Sequence, residues 1–438
     1  MTTQRESSQP SFTPRREFLK ASAAGIGTAA GLSLTRRVHA AGSDILKLGM
    51  IGCGGRCTGA AVDAMSADPG TRLVAMADLF ADRIQVKRQL LAAEKPQQAI
   101  VDDEHCFVGL DAYKRVVDSV DVVLIACAAK FHPLYLRVAI EAGKHVFLEK
   151  PHAIDPAGIK VVSAACELAK QKNLGVMSGL QSRYDPAIRE TIERVRDGQI
   201  GEIVSIEENF IRGPYGETTR PTGVRELEVQ YGNQYRFSWL SGDDVTQSLV
   251  HNLDRAVWAL NGTPPVDCHG FGGRSGVQTL LGDVFDHQAV VYRYANGVRV
   301  YAFCRTTPGC YNESSSIIMG SKGIAYPLRG RITGDDEWKY NGPSVSPYLA
   351  EHVAFFKSIR EGKPLNCGDY MAQSTLVAIM GQLSCYSGRE VRWEEVTASD
   401  FCFAPRPEDC TWDMQPPTAP DELGIYPVCA SPGLTTNV

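Results

Sequence analysis

The sequence predicts an α/β protein with two unlike sheets. A doubly wound parallel sheet is expected over residues 45–178, and an α+β domain with an open, mainly antiparallel sheet over 179–395. Three observations carry this. Short apolar runs alternate with helical patterns through the first half. A glycine-rich turn directly follows the first of those runs. Beyond about residue 201 the apolar runs become β-rich and alternating, and Asn296-Gly297 joins two of them as a hairpin turn. The length, 438 residues, fits two or three domains at roughly 150 residues each.

The first forty residues are expected to be an address rather than a domain. Thr13 to Lys20 (TPRREFLK) follows the twin-arginine export pattern, and Ala21–Leu34 is weakly apolar and too short to span a bilayer. Val38-His39-Ala40 reads as a cleavage site. The mature chain is therefore expected to start near Ala41 and to reside in the periplasm or outside the cell, with no membrane anchor. Six of the Lys and Arg residues lie in those forty positions against two acids, while the whole chain carries −5. The remainder is thus acidic, which argues against nucleic acid as a partner. Thirteen cysteines leave at least one thiol unpaired, and disulfides among Cys402, Cys410 and Cys429 stay open. No paired CxxC or HExxH occurs, so no metal site is expected.

Element by element, Ile45–Ile51 reads as a strand that ends in Gly52-Cys53-Gly54-Gly55-Arg56 and enters a helix. A second strand, Leu73–Ala77, ends on Asp78. This is the order that a dinucleotide-binding Rossmann fold requires. Gly52 permits the tight turn, and Gly54 lets backbone N–H groups approach a pyrophosphate at the helix N-terminus. Asp78 can accept from the ribose hydroxyls and would repel a 2′-phosphate, which selects NAD over NADP. Cys57 stands at the third glycine position, a departure from the residue that serves close helix–strand packing in that pattern. The strands Val122–Cys127, Val146–Leu148 and Leu174–Leu180 end in polar clusters around His132, Glu149-Lys150-Pro151 and Gln181–Tyr184, which should share one crevice with the glycine turn.

A helix over about 245–260 is expected to carry Gln247, His251, Asp254 and Trp258 on one stripe. The preceding loop is rich in aromatic and polar groups, including Tyr231, Gln234, Tyr235, Arg236 and Trp239, a lining suited to a pyranose ring. Helices are expected at Glu351–Arg360 and Met371–Ser387. The Pro-rich stretch 396–438 reads as an extended arm over the body or a neighbouring subunit.

On these residues the chain resembles the Gfo/Idh/MocA superfamily of glucose–fructose oxidoreductase and inositol dehydrogenase. The resemblance covers about 45–395. It rests on GCGGR at 52–56, Asp78, AAKFHP at 128–133, AGKHVFLEKP at 142–151, GLQSRYDP at 179–186 and SGDDVTQSLVHNLD at 241–254. It implies an NAD-dependent oxidoreductase acting on a sugar or glycoside and forming homo-oligomers, dimers or tetramers. Lys150 would be the catalytic lysine and His251 the proton-transferring histidine. Ala128, His132, Glu149 and Lys150 would join Gly52–Arg56 and Asp78 around the cofactor. Arg183, Tyr184, Gln247, Asp254, Tyr235 and Trp239 would face the substrate. Asp254 either orients His251 or faces solvent. Gln247 replaces the acid usual in that family, with Asp243 or Asp244 as candidate substitutes. Two alternatives accompany the dehydrogenase reading: an NAD-dependent glycosidase working through a transient keto-sugar, and a non-catalytic cofactor- or sugar-binding protein.

Overall fold

Six strands, most of them largely buried, form the parallel sheet: β1 (Leu46–Ile51), β2 (Thr71–Asp78), β3 (Cys106–Val108), β4 (Val122–Ile125), β5 (His145–Leu148) and β6 (Val176–Ser178). Their order in this computed structural model is β3-β2-β1-β4-β5-β6, all parallel, with helices between them. It describes residues 45–216, 220, 222–276 and 281–435, so the export-signal segment lies outside the described residues. Burial on both faces explains why these strands read as continuous apolar runs. The strand order reverses between β1 and β4, and there a crevice opens at the carboxyl ends of the strands. The three-residue β3 is too short and too mixed to register as an apolar run.

Nine strands form the second sheet: β7 (Ile203–Ile211), β8 (Asp267–Gly273), β9 (His287–Arg293), β10 (Arg299–Arg305), β11 (Glu313–Gly320), β12 (Gly323–Tyr326), β13 (Arg331–Gly334), β14 (Trp338–Lys339) and β15 (Val391–Arg392). They are ordered β14-β13-β12-β11-β7-β10-β9-β8-β15. Only the β7–β10 pair is parallel, so the sheet is mixed and mostly antiparallel. Alternate residues of β9 and β10 are buried, as a sheet covered on one face requires. Beneath that face lies the helix Gly368–Ser387, which is buried along almost its entire length.

The expected helix at 245–260 divides in two. Val245–Leu249 is π-helical and Val250–Ala259 is α-helical. The wider turn breaks the simple stripe predicted for Gln247, His251 and Asp254. Cys57 packs the first helix against the sheet. It is fully buried, with its thiol 3.6 Å from the Leu124 carbonyl, and fills the space that a glycine would leave. The arm lies over this chain's own body, and Cys402, Cys410 and Cys429 are free thiols.

Candidate active site

The glycine turn is built by close approach. Gly52 has φ +95°, and a Cβ there would lie 2.9 Å from the Ala126 carbonyl oxygen. Only glycine serves at that position. Around Gly54 and Gly55, by contrast, a Cβ would meet nothing within 4 Å, which leaves an open cradle at the N-terminus of the helix Gly55–Ala67. Asp78, at the end of β2, accepts from the Cys53 N–H (2.6 Å) and the Phe80 N–H (3.0 Å). Gly52, Gly54, Asp78 and Ala128 all line one cleft. Opposite them stand Tyr231 and Gln234 from the C-terminal half. Amides at a helix N-terminus, a carboxylate at the next strand end and apolar walls suit a dinucleotide: pyrophosphate on the turn, ribose at Asp78.

Lys150, in the turn after β5, reaches across to the second domain. Its Nζ donates to the Gln247 carbonyl oxygen at 3.0 Å, one turn before His251. An ammonium has three donors, so two remain for a ligand. The His251 ring is partly buried and its Nδ1 has no partner. Burial, then the nearby Lys150 cation and Arg255, hold its pKa well below the usual imidazole value. The ring is therefore neutral at pH 7 and able to accept a proton.

Several other expected site residues are committed elsewhere. Arg183 and Asp254 pair with each other: the guanidinium donates from Nε and Nη2 at 3.0 and 2.8 Å, and Ser374 adds a bond to Asp254 at 2.7 Å. Arg183 also lies over the Tyr370 ring at 3.9 Å. Asp254 is wholly buried, so this pair braces helix Val250–Ala259 instead of meeting substrate, and Asp254 does not orient His251. Replacing Asp254 with alanine is expected to cost about 3–5 kcal/mol of stability, because it strands a largely buried guanidinium. Chemical denaturation of the variant measures this. Trp239 is a core residue, 2% exposed, with its indole N–H donating to Gln230. Tyr184 packs on the core, with its hydroxyl 3.9 Å from the Cys367 thiol.

His132 is buried, with its nitrogens 2.7 Å from the Pro151 carbonyl and 3.2 Å from that of Cys127. Burial lowers its pKa to about 4. It ties two strand-end turns together and does not line the cleft. Glu149 likewise turns away: its carboxylate lies 2.7 Å from Arg56 Nε and accepts from the Lys150 N–H at 3.1 Å. A Cβ on Gly179 would lie 2.7 Å from that carboxyl group. Arg56 is thus held by Glu149 and by the Tyr348 ring at 4.6 Å, leaving its backbone as the part that meets the cradle. Neither candidate acid reaches His251. Asp243, pushed up to about 7 by burial, accepts from the Tyr386 hydroxyl and the Phe285 N–H, and Asp244 pairs with Arg212 at 2.7 Å.

Gln247 and Tyr235 line a neighbouring chamber with Arg212, Tyr215 and Asp244. Tyr215 and Tyr235 stack at 4.4 Å, and Arg212 lies 3.7 Å over Tyr215. Arg212 and Tyr215 were not among the expected site residues. The place of Arg212, immediately after β7, was the signal that could have found it. Arg83, in the first turn of the helix Ala81–Glu94 that follows Asp78, also lines the cofactor cleft and was likewise unforeseen.

A parallel sheet in the 3-2-1-4-5-6 order, a glycine cradle and a carboxylate at the end of β2 define an NAD-binding oxidoreductase fold. Residues 46–179 match the GFO_IDH_MocA family, described as "Oxidoreductase family, NAD-binding Rossmann fold". Among curated proteins, the chain is 29% identical over 221 residues to glycosyl hydrolase family 109 protein 1 of Bacteroides fragilis. That match covers 50% of this chain and 44% of the relative, so the chain spans less than half the relative's length. It is 24% identical to an inositol 2-dehydrogenase of Acidothermus cellulolyticus, over 73% of this chain and 86% of that one. The fold is shared with an aldose-aldose oxidoreductase from Caulobacter crescentus (TM-score 0.62, 20% identity, 80% of this chain and 99% of that chain). It is also shared with a myo-inositol 2-dehydrogenase from Lactobacillus plantarum (TM-score 0.60, 21% identity, 80% and 99%).

Proposed function

We propose that this protein transfers hydride between a ring hydroxyl carbon of a sugar or glycoside and a tightly held NAD, with Lys150 and His251 managing the hydroxyl proton. The observation that supports the reading is the reach of Lys150 to the Gln247 carbonyl, one turn before His251, whose imidazole feels the Lys150 charge. A sugar hydroxyl does not ionise at pH 7, so its proton needs a base as the C–H bond breaks. Neutral His251 accepts that proton and returns it in the reverse direction. Lys150 donates to the same oxygen, stabilising the charge that develops there and then polarising the carbonyl. Bound NAD supplies the hydride acceptor. Gln247, with Tyr235, Tyr215 and the Arg212–Asp244 pair, presents amide, aromatic and charged groups to the hydroxyls and C–H faces of a sugar ring. Export by the twin-arginine route and assembly into a homo-oligomer form part of the same proposal, resting on the N-terminal sequence and the family resemblance.

The similarity to glycosyl hydrolase family 109 favours a second reading, in which the hydride is only borrowed. Oxidation next to a C–H bond acidifies it, the glycosidic bond leaves by elimination, and the hydride returns after water adds. Incubating purified protein with aryl glycosides separates the readings. Net keto-sugar or NADH supports the dehydrogenase. Aglycone release without either supports the glycosidase. Bound NAD with no turnover across a broad panel would leave only a binding protein.

A further inference from the structure

The cofactor cleft has a roof, and the roof is tied down from outside. Tyr231 and Gln234 face the cleft from the short helix Glu226–Gly232 and the turn that follows. Arg83 crosses from the nucleotide domain: its guanidinium stacks over Phe80 at 4.6 Å and its Nη2 donates to the Gly232 carbonyl at 3.2 Å. Seven residues are too few to form a stable helix alone, so tertiary contacts must hold this one. Many of them come from the C-terminal arm. Gln230, wholly buried, donates to the Thr418 carbonyl at 2.7 Å. Trp412 packs edge-on against Tyr231 at 5.4 Å. The Tyr426 hydroxyl donates to Glu226 at 2.6 Å.

The arm is fastened on both sides of that roof. Before it, the Phe403 N–H donates to Asp155 at 3.1 Å, the Ala157 N–H to the Phe401 carbonyl at 3.2 Å, and Arg137 pairs with Glu408 at 3.0 Å. Buried Lys130, next to the cleft residue Phe131, donates to the Phe403 carbonyl. Beyond it, the Cys429 N–H donates to the Asp283 carbonyl at 2.9 Å, on the second domain.

We infer that the segment Phe401–Tyr426 is a strap that holds the helix Glu226–Gly232 over the dinucleotide, so that NAD stays bound between turnovers. For the nucleotide to leave, the roof must lift, which breaks the Gln230–Thr418 bond and separates Tyr231 from Trp412.

The test loads full-length protein with NADH, removes free nucleotide by gel filtration, and follows the loss of bound NADH fluorescence after mixing with excess NAD. Wild type is expected to elute with its nucleotide. Trp412→Ala should release it at least tenfold faster, and Trp412→Phe, which restores a ring against Tyr231, should recover retention. Tyr426→Phe removes the hydroxyl's bonds to Glu226 and Arg220 and applies the same test with almost no change in bulk, so a misfolded Trp412→Ala would not blunt it. Loss of nucleotide from wild type during filtration, or wild-type release rates in both Trp412→Ala and Tyr426→Phe, would overturn the strap.

Discussion

Lys150→Ala is expected to lower kcat by about a thousandfold on whichever sugar proves to be turned over, the scale seen when one donor to a developing oxyanion is removed. Bound NAD should be unchanged. The Lys150 Nζ meets the second domain at Gln247, whereas the nucleotide cleft is lined by other residues. Arginine should not restore activity, because a planar fork cannot take the place of a compact ammonium donating to one oxygen. Mass spectrometry of released nucleotide, beside steady-state kinetics, checks both halves. A variant that loses NAD in step with activity would point to a cofactor-binding role instead.

His251→Ala is expected to cost roughly 10²–10⁴ in kcat, the usual contribution of a positioned acid–base group. Its pH profile carries more information than its magnitude. The imidazole must be neutral to accept the hydroxyl proton, so oxidation is lost as pH falls through its pKa. Burial and the Lys150 cation depress that pKa, placing the acid limb of kcat/KM below the ordinary histidine value near 6.5. Lys150→Gln removes the cation but keeps a polar side chain, so the limb of its residual activity should move upward. His251→Asn should have no such limb. A packing role for either residue would not couple the two profiles in this way.

The parallel sheet was legible because each of its main strands is buried on both faces and ends in a cluster of turn residues. β3 was not, since three residues of mixed character leave no periodic trace. The turn at Gly52 was legible because its place follows from the end of the first strand. Arg183 and Asp254 misled for a physical reason: residue type cannot reveal that two opposite charges 71 positions apart will neutralise each other in the core. Trp239 misled similarly, because an aromatic in a polar loop looks the same whether its indole meets a sugar or, as here, the Gln230 amide. The π-helical stretch Val245–Leu249 also escaped notice, since helical periodicity assumes a constant turn.

Asp78 does more than face the nucleotide cleft. By accepting the Cys53 N–H at 2.6 Å, its carboxylate already fastens the glycine turn to the end of the neighbouring strand. The loop's conformational entropy is thus surrendered during folding and not upon nucleotide arrival, which makes the cradle preorganised. Calorimetry of NAD association should accordingly register little ordering penalty from this turn.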